Sequence, residues 1–369
     1  VPGLAATQHS GAGKANQYFL RGFNLDHGTD LAASLDGVPL NLPSHGHGQG
    51  YLDLNLLTPG FVHDIAFKKG PYSAENGDFA TAGAVAFETA DHLHGDGLQA
   101  WAGQNDYYRA VGSKALTDNL LVAADLSSAR GAWTNPEDLR KINLLGRALA
   151  GGWSITALAY DAKWNATDQI PRRAVEAGAL GRLDAIDATD GGNTSRYMLS
   201  ARRRDLLRGL DAVVYVQRYT LDLYSNFTYF LDDPVNGDQF EQVDRRWVYG
   251  GSLVKRWGLG DGWSARTGVS ARVDDIGQVG LHRTTARVRR ATVRQDALTE
   301  WSTAFWGEAS RRFGELDATL GLRADAMGAD VDAGDPRNAG TVSDLQLSPK
   351  LALAWRVSRT FELYADAGR

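Results

Sequence analysis

The chain has 369 residues, ten Trp, thirteen Tyr, 42 Gly, no Cys and a formal net charge of −5. Without cysteine there is no disulfide, thiolate metal site or cysteine nucleophile, and the slightly acidic balance gives no electrostatic footprint for nucleic acid. The mean hydropathy of −0.32 matches a soluble protein, and no apolar run reaches the length of a spanning helix. A membrane barrel is not excluded by this, because it turns only alternate residues to lipid and leaves a weak hydropathy signal.

Residues 1–96 differ in texture from the rest. They hold seven of the eight histidines, many glycines and only short apolar bursts. Alternation predicts strands near Gln17–Arg21, Leu31–Leu35, Val62–Lys68 and Ala84–Thr89, with a short helical piece over Tyr51–Leu57 leading to Pro59. The expectation is a small α/β domain over 1–96, joined through a linker at Asp91–Gly97 to a second domain over 97–369.

The second domain alternates cleanly. Leu120, Val122, Ala124 and Leu126 share one face. Trp263, Ala265, Thr267, Val269, Ala271 and Val273 oppose Ser264, Arg266, Gly268, Ser270 and Arg272. The same holds for Trp301, Thr303 and Phe305, for Leu320 and Leu322, and for Leu345, Leu347, Leu351 and Leu353. Tight turns at Gly151-Gly152, Leu259–Gly262, Phe313-Gly314 and Val357–Arg359 alternate with long polar excursions at 165–194, 224–244, 274–297 and 327–344. A soluble sandwich also alternates. Short turns on one side, long loops on the other and apolar faces of membrane-spanning length favour a transmembrane antiparallel β-barrel of roughly eleven or twelve strands, in a mainly β chain. The chain opens in mid-domain, without a signal peptide, and stops inside a strand, so it reads as a piece truncated at both ends.

Four motifs occur in order in the first domain: Val1-Pro2-Gly3-Leu4; Tyr18-Phe19-Leu20-Arg21-Gly22-Phe23; Ser34-Leu35-Asp36-Gly37-Val38-Pro39; and Phe67 to Gly83, which contains Lys69-Gly70-Pro71 and Asn76-Gly77-Asp78. Together they resemble the second half of the plug domain of TonB-dependent outer-membrane receptors. Asp168 to Ala174 resembles a loop of some members. The resemblance implies a 22-stranded barrel, about half of it present here, with the plug inside. It further implies a Gram-negative outer-membrane location and a small-molecule or metal-chelate ligand caught between plug apices and extracellular loops. The partner would be the inner-membrane TonB complex, whose contact segment would lie upstream of Val1. It implies transport rather than catalysis and no resident cofactor. A ferric siderophore or other metal complex is the expected cargo, with carbohydrate, cobalamin and a passive porin-like channel as alternatives.

Arg21, Gly22, Asp36, Gly37, Lys69, Gly70, Pro71 and Gly77 read as plug architecture, and basic groups beside acids such as Glu88 would bridge plug to wall. The apices implied by the resemblance would gather His9, His27, His45, His47, Gln49 and Tyr51. Imidazole suits Zn, Cu, Ni or Fe, so His45 and His47 are candidate metal ligands; hydrogen-bonding histidines in polar loops are the plainer reading. Arg283, Arg287, Arg289, Arg290 and Arg294 are expected in an extracellular loop, balanced by Asp274, Asp275 and Asp296, and Arg202-Arg203-Arg204 as an interfacial anchor. No nucleophile elbow or phosphate loop is present, and His282 has no evident catalytic partner.

Overall fold

A computed structural model describes residues 2–8, 11, 13–90 and 97–369. Two small sheets form the N-terminal unit. The first contains β1 (Leu4–Thr7), β2 (Gln17–Leu20) and β3 (Phe23–Asn24). The second contains β4 (Leu31–Leu35), β5 (Val38–Pro39), β6 (Val62–Lys69) and β7 (Gly83–Thr89), ordered β5-β4-β7-β6, with β4 and β7 parallel. The helical piece expected over Tyr51–Leu57 does not form. Tyr51 bridges Leu42, the Leu52 amide donates to the His27 carbonyl, and the Asp53 carboxylate accepts from the Asn55 amide at 2.8 Å. These bonds commit the groups a helix would use. One 3-10 turn, Pro59–Phe61, follows.

The rest is one continuous antiparallel sheet in which every neighbour in space is a neighbour in sequence. Its strands are β8 (Gly97–Gly103), β9 (Tyr107–Thr117), β10 (Leu120–Ala129), β11 (Leu139–Ala150), β12 (Trp153–Asn165), β13 (Gly191–Arg203), β14 (Leu210–Ser225), β15 (Phe240–Gly260), β16 (Trp263–Thr285), β17 (Val288–Phe313), β18 (Leu316–Ala333), β19 (Gly340–Arg356) and β20 (Glu362–Gly368). There are 13 strands rather than eleven or twelve, and β8 and β20 stand at the edges of a partial, unclosed barrel. A single helical turn, α1 (Arg172–Glu176), sits in the connection between β12 and β13.

Several strands are far longer than a membrane crossing requires: β15, β16 and β17 have 21, 23 and 26 residues. The loop expected at 274–297 is therefore not a loop. β16 and β17 continue through it to a two-residue turn at Ala286-Arg287, with φ of 49° and 66°. Paired positive φ values match the twist of the flanking strands, so the hairpin extends rather than splays. The other long excursions shorten to 166–190, 226–239 and 334–339.

The outer face carries the membrane signature. Trp257, Trp263, Phe313 and Trp355 form one exposed aromatic row near the short turns, and Tyr249, Val273 and Trp301 lie in register higher up. Trp263 and Val273 are ten positions apart. At about 3.4 Å per residue and a tilt of about 40°, that separates the rows by roughly 25 Å, the height of an outer-membrane apolar band. Val269, Phe305, Leu320 and Leu322 fill the band between them and are exposed. Among the described residues no helix is long and apolar enough to cross a membrane.

The inner face carries the opposite set. Tyr160, Trp164, Met198, Tyr215, Tyr219, Leu221 and Leu223 of the wall bury against Tyr18, Leu20, Leu25, Leu31, Leu35, Leu40 and Tyr51 of the plug in one shared core. Wall and plug are packed as one body.

Candidate functional site

The segment that links β5 to the turn before β6 is held by the wall through its main chain. Gln217 donates to the Pro39 carbonyl, Arg196 to Leu40 (3.0 Å), Arg272 to Asn41 (2.8 Å), Arg246 to Ser44 (2.6 Å) and Gln242 to Gly46 (2.7 Å). In return the Gly46 amide donates to Asp244. Arg246 sits between the carboxylates of Asp244 and Asp274, and Arg272 shares Asp274, so these cations are neutralised where they are buried. Gly46 is required by contact: a Cβ there would lie 2.8 Å from the Val243 carbonyl oxygen.

This grip presents three imidazoles at the plug–wall boundary, a few residues below the long connections. His45 is fully enclosed. Its ring stacks on Tyr51 (centroids 4.0 Å apart, 13° between planes), and its Nε2 lies 3.2 Å from the Tyr219 hydroxyl and 3.9 Å from Asp244. The His47 amide donates to His45 Nδ1 at 3.1 Å, so the proton is on Nε2. Burial, with Arg246 and Arg196 close by, holds its pKa well below the usual imidazole value. His47 is partly exposed. Its Nδ1 meets Gln242 Oε1 at 2.7 Å, and its Nε2 meets His27 Nε2 at 3.2 Å. Desolvation, with nearby Lys14 adding to it, depresses His47 to about 3. His27 is buried and is anchored through Nδ1, 3.0 Å from the Ala15 carbonyl. His45 and His47 are therefore neutral at neutral pH, the state in which an imidazole ligates a metal.

Of the residues expected at the apex, the structure brings His27, His45, His47 and Tyr51 together. Tyr51 is a floor rather than a contact surface: it is wholly buried, its hydroxyl accepts from the Ala15 amide, and burial raises its pKa. Gln49 is exposed, and its carbonyl accepts from Thr29. His9 lies outside the described residues, as do His92, His94 and residues 91–96 of the expected linker.

The plug motifs sit in turns. Arg21 and Gly22 close the turn between β2 and β3 with φ of 55° and 82°, and Asp36 and Gly37 close that between β4 and β5 with φ of 52° and 86°. Gly70 follows Lys69 at the end of β6 with φ of 75°, ahead of Pro71. Gly77 serves by close approach: a Cβ there would meet the Arg323 guanidinium at 2.5 Å. The bridges to the wall run opposite to expectation, with acids on the plug and arginines on the wall. Asp36 pairs with buried Arg147, which also reaches Thr89, Thr156 and the carbonyl of Ala90. Glu88 pairs with Arg202 and Arg204, and Glu75 with Arg266. Arg202 and Arg204 are thus plug ligands rather than an interfacial anchor.

The arginines expected in one extracellular loop lie along the β16–β17 hairpin and are largely paired. Arg287 donates to the carbonyls of Thr189 and Asp190 and to Asn165, Arg289 pairs with Glu241, and Arg294 with Asp296. Asp274, expected to balance them, belongs instead to the buried pair with Arg246 and Arg272. Sequence reading missed Arg147, Arg196, Arg246, Arg272 and Arg323. Their signal was present as arginines at inward positions of otherwise regular strands, charges that must find partners in whatever fills the barrel.

The family model for the TonB-dependent receptor plug domain matches residues 1–84, and that for the TonB-dependent receptor-like β-barrel matches 127–369. Among solved structures, the ferric citrate transporter FecA in its unliganded form superposes with a TM-score of 0.74 at 15% identity, covering 100% of this chain and 58% of that one. The copper transporter OprC gives 0.69 at 17% identity, with 100% and 58% covered. The ferric yersiniabactin uptake receptor FyuA from Yersinia pestis gives 0.68 at 15%, with 99% and 60% covered. At these identities the likeness is one of fold, and the chain spans 58–60% of the length of these structures.

Proposed function

From the premise that this chain belongs to the TonB-dependent receptor family, we propose that it serves active uptake of a scarce ligand across a Gram-negative outer membrane, the cargo being a ferric siderophore or other metal complex. The observation that carries this reading is the meeting of His27, His45 and His47 at the plug–wall boundary below the long connections. Carbohydrate or cobalamin recognition gives no reason to concentrate neutral imidazoles there, whereas a metal complex exploits their lone pairs. A passive channel is disfavoured because the plug fills the concave face with a continuous apolar core and buried ion pairs.

In this reading the complex settles between the plug apex and the 166–190 and 226–239 connections. The energised inner-membrane TonB complex then supplies the work that breaks the wall's grip on residues 39–46 and releases the cargo inward. The residues carry no chemistry beyond binding. The test is accumulation of an isotopically labelled metal-complex panel by cells expressing the full-length receptor, with and without an intact TonB complex. Accumulation of one complex only when the TonB complex works supports the reading, and accumulation independent of it overturns active uptake. The same cells given labelled oligosaccharide and cobalamin separate the metal reading from the organic ones.

A further inference from the structure

One carboxylate and one guanidinium are only partly engaged at the plug–wall boundary. Asp53 of the plug is 2% exposed; its Oδ1 accepts the Asn55 amide at 2.8 Å, and its Oδ2 has no hydrogen-bond partner among the described residues. Arg196 of β13 is 1% exposed. Its Nη2 donates to the Leu40 carbonyl at 3.0 Å and its face lies over the Tyr219 ring, while Nε and Nη1 reach no acceptor among the described residues. A buried charge without its full set of partners costs free energy. Here the orphaned acceptor and the orphaned donors carry opposite charges. Each charge acts on the other, although no hydrogen bond joins them.

The two groups belong to parts of the boundary that are tethered separately. Arg196 grips the 39–46 segment, which the proposed uptake step frees from the wall. Asp53 lies beyond that segment and has its own attachment: Asn143 of β11 donates to the Asn55 carbonyl at 3.1 Å, and Asn55 donates to the Lys14 carbonyl at 3.0 Å. Asn143, Tyr160, Arg196 and Tyr219 follow one another in register across β11 to β14, so this attachment and Arg196 share one row of the wall. When 39–46 leaves, Asp53 stays beside that row. Loss of the Leu40 carbonyl then frees the whole guanidinium fork, whose geometry matches a carboxylate.

We propose that Asp53 is a catch for Arg196: the guanidinium exchanges the Leu40 carbonyl for the Asp53 carboxylate when 39–46 leaves the wall, and the new ion pair holds the boundary open while cargo passes. This rests on the uptake reading above and adds to it a second state of the plug. In the closed state Asp53 Oδ2 stabilises nothing by hydrogen bonding, and the movement itself releases its partner. The exchange lowers the work of opening, because a bond lost at a neutral carbonyl is replaced by a charge-assisted one. It also makes the change discrete, since Arg196 is engaged on one side or on the other.

The experiment uses the full-length receptor in detergent micelles and reads amide hydrogen exchange over residues 40–46 in the parent, Asp53→Asn, Arg196→Gln and the double variant. Asparagine keeps an oxygen for the Asn55 amide and removes the charge. Without its catch the open state is rarer, so Asp53→Asn should slow this exchange about fivefold or more. Asp53→Ser, also neutral and smaller, should do the same. In the Arg196→Gln background, where the catch is already lost, Asp53→Asn should change nothing. Heat-modifiable migration on a gel confirms that each variant is folded. Exchange in folded Asp53→Asn and Asp53→Ser as fast as in the parent, or faster, overturns the proposal. Slowing of equal size in both backgrounds overturns it too, because that would be relief of a buried charge and not loss of a pair. Accumulation of labelled metal complexes by the parent that proves independent of the TonB complex overturns the uptake reading and leaves the exchange result standing.

Discussion

Arg147 and Asp36 show what a single pair does at the plug–wall boundary. Both side chains are almost wholly buried, and Thr89 donates to the same carboxylate through its amide and its hydroxyl. Removing one partner strands the other, so Arg147→Met should destabilise the plug's attachment by about 3–5 kcal/mol, while Asp36→Leu/Arg147→Met should recover a good part of the loss. Hydrogen exchange of the β4 and β7 amides measures both, and equal exchange in the single and double variants would contradict this account. Gly46 gives a second test at this scale. Gly46→Ala places a methyl against the Val243 carbonyl, and an overpacked contact of that kind typically costs about 1–3 kcal/mol. Residues 43–48 should exchange faster while the barrel keeps its gel mobility. Neither Arg147 nor the Val243 contact was legible in the sequence. Each depends on which wall strand faces which plug turn, a pairing made across more than a hundred residues. The imidazoles were legible as candidates, because three plug segments rich in Gly carried His9, His27 and the pair His45 and His47. Which two of them face each other was decided by Gln242 and the Ala15 carbonyl, and no local pattern encodes those.

At the level of elements, the connection over 166–190 is pinned by the neighbouring hairpin rather than by its own short helix. Asp190, at its end, is fully buried and accepts from Gln239. Burial, reinforced by Asp168 and Asp187, raises its pKa to about 9. The folded form then holds a proton that the unfolded chain releases near pH 4, so this carboxyl lowers local stability progressively as pH rises from about 4 to about 9. Protection in 166–190, after intrinsic base-catalysed exchange is divided out, should fall over that range, and Asp190→Asn should flatten that fall. A pH profile identical in the two proteins would place the proton elsewhere. Arg287→Ala should loosen the same connection, since it removes donors to Thr189, Asp190 and Asn165, whereas exposed Arg290 can be replaced without effect. Strand identity was readable from period-two alternation around 120–126, 263–273, 301–305, 320–322 and 345–353, but not in the short plug strands β1, β3 and β5 or in β8 and β9. Strand ends were not: β16 and β17 run through Asp- and Arg-rich stretches that look like loop, because above the lipid both faces of a hairpin are polar and alternation no longer marks a strand.

For the molecule as a whole, the two faces of the 13-stranded sheet answer to different solvents. Leu320→Arg or Phe305→Arg, in the apolar band, should cost about 2–4 kcal/mol in folding into phospholipid vesicles. Arg at an exposed position of the upper hairpin, such as Val293, should cost almost nothing. Equal penalties at both heights would mean that the aromatic rows do not bound the membrane.

The wall's hydrogen bonds to residues 39–46 run largely to their peptide oxygens, from Pro39 to Gly46, while Leu40 and Leu42 bury in the shared core and His45 faces Tyr219 and Asp244. Every amino acid supplies that oxygen. That hydrogen-bonded part of the anchorage is therefore indifferent to what the segment spells, and the more exposed Pro39, Pro43 and Ser44 side chains can change without unseating it, whereas Leu40, Asn41, Leu42 and His45 are fixed by burial. Attachment and recognition are thus written in separate alphabets, one in the arginines of the barrel and one in the apical loop. A lineage can exchange the second for a new nutrient while leaving the first untouched.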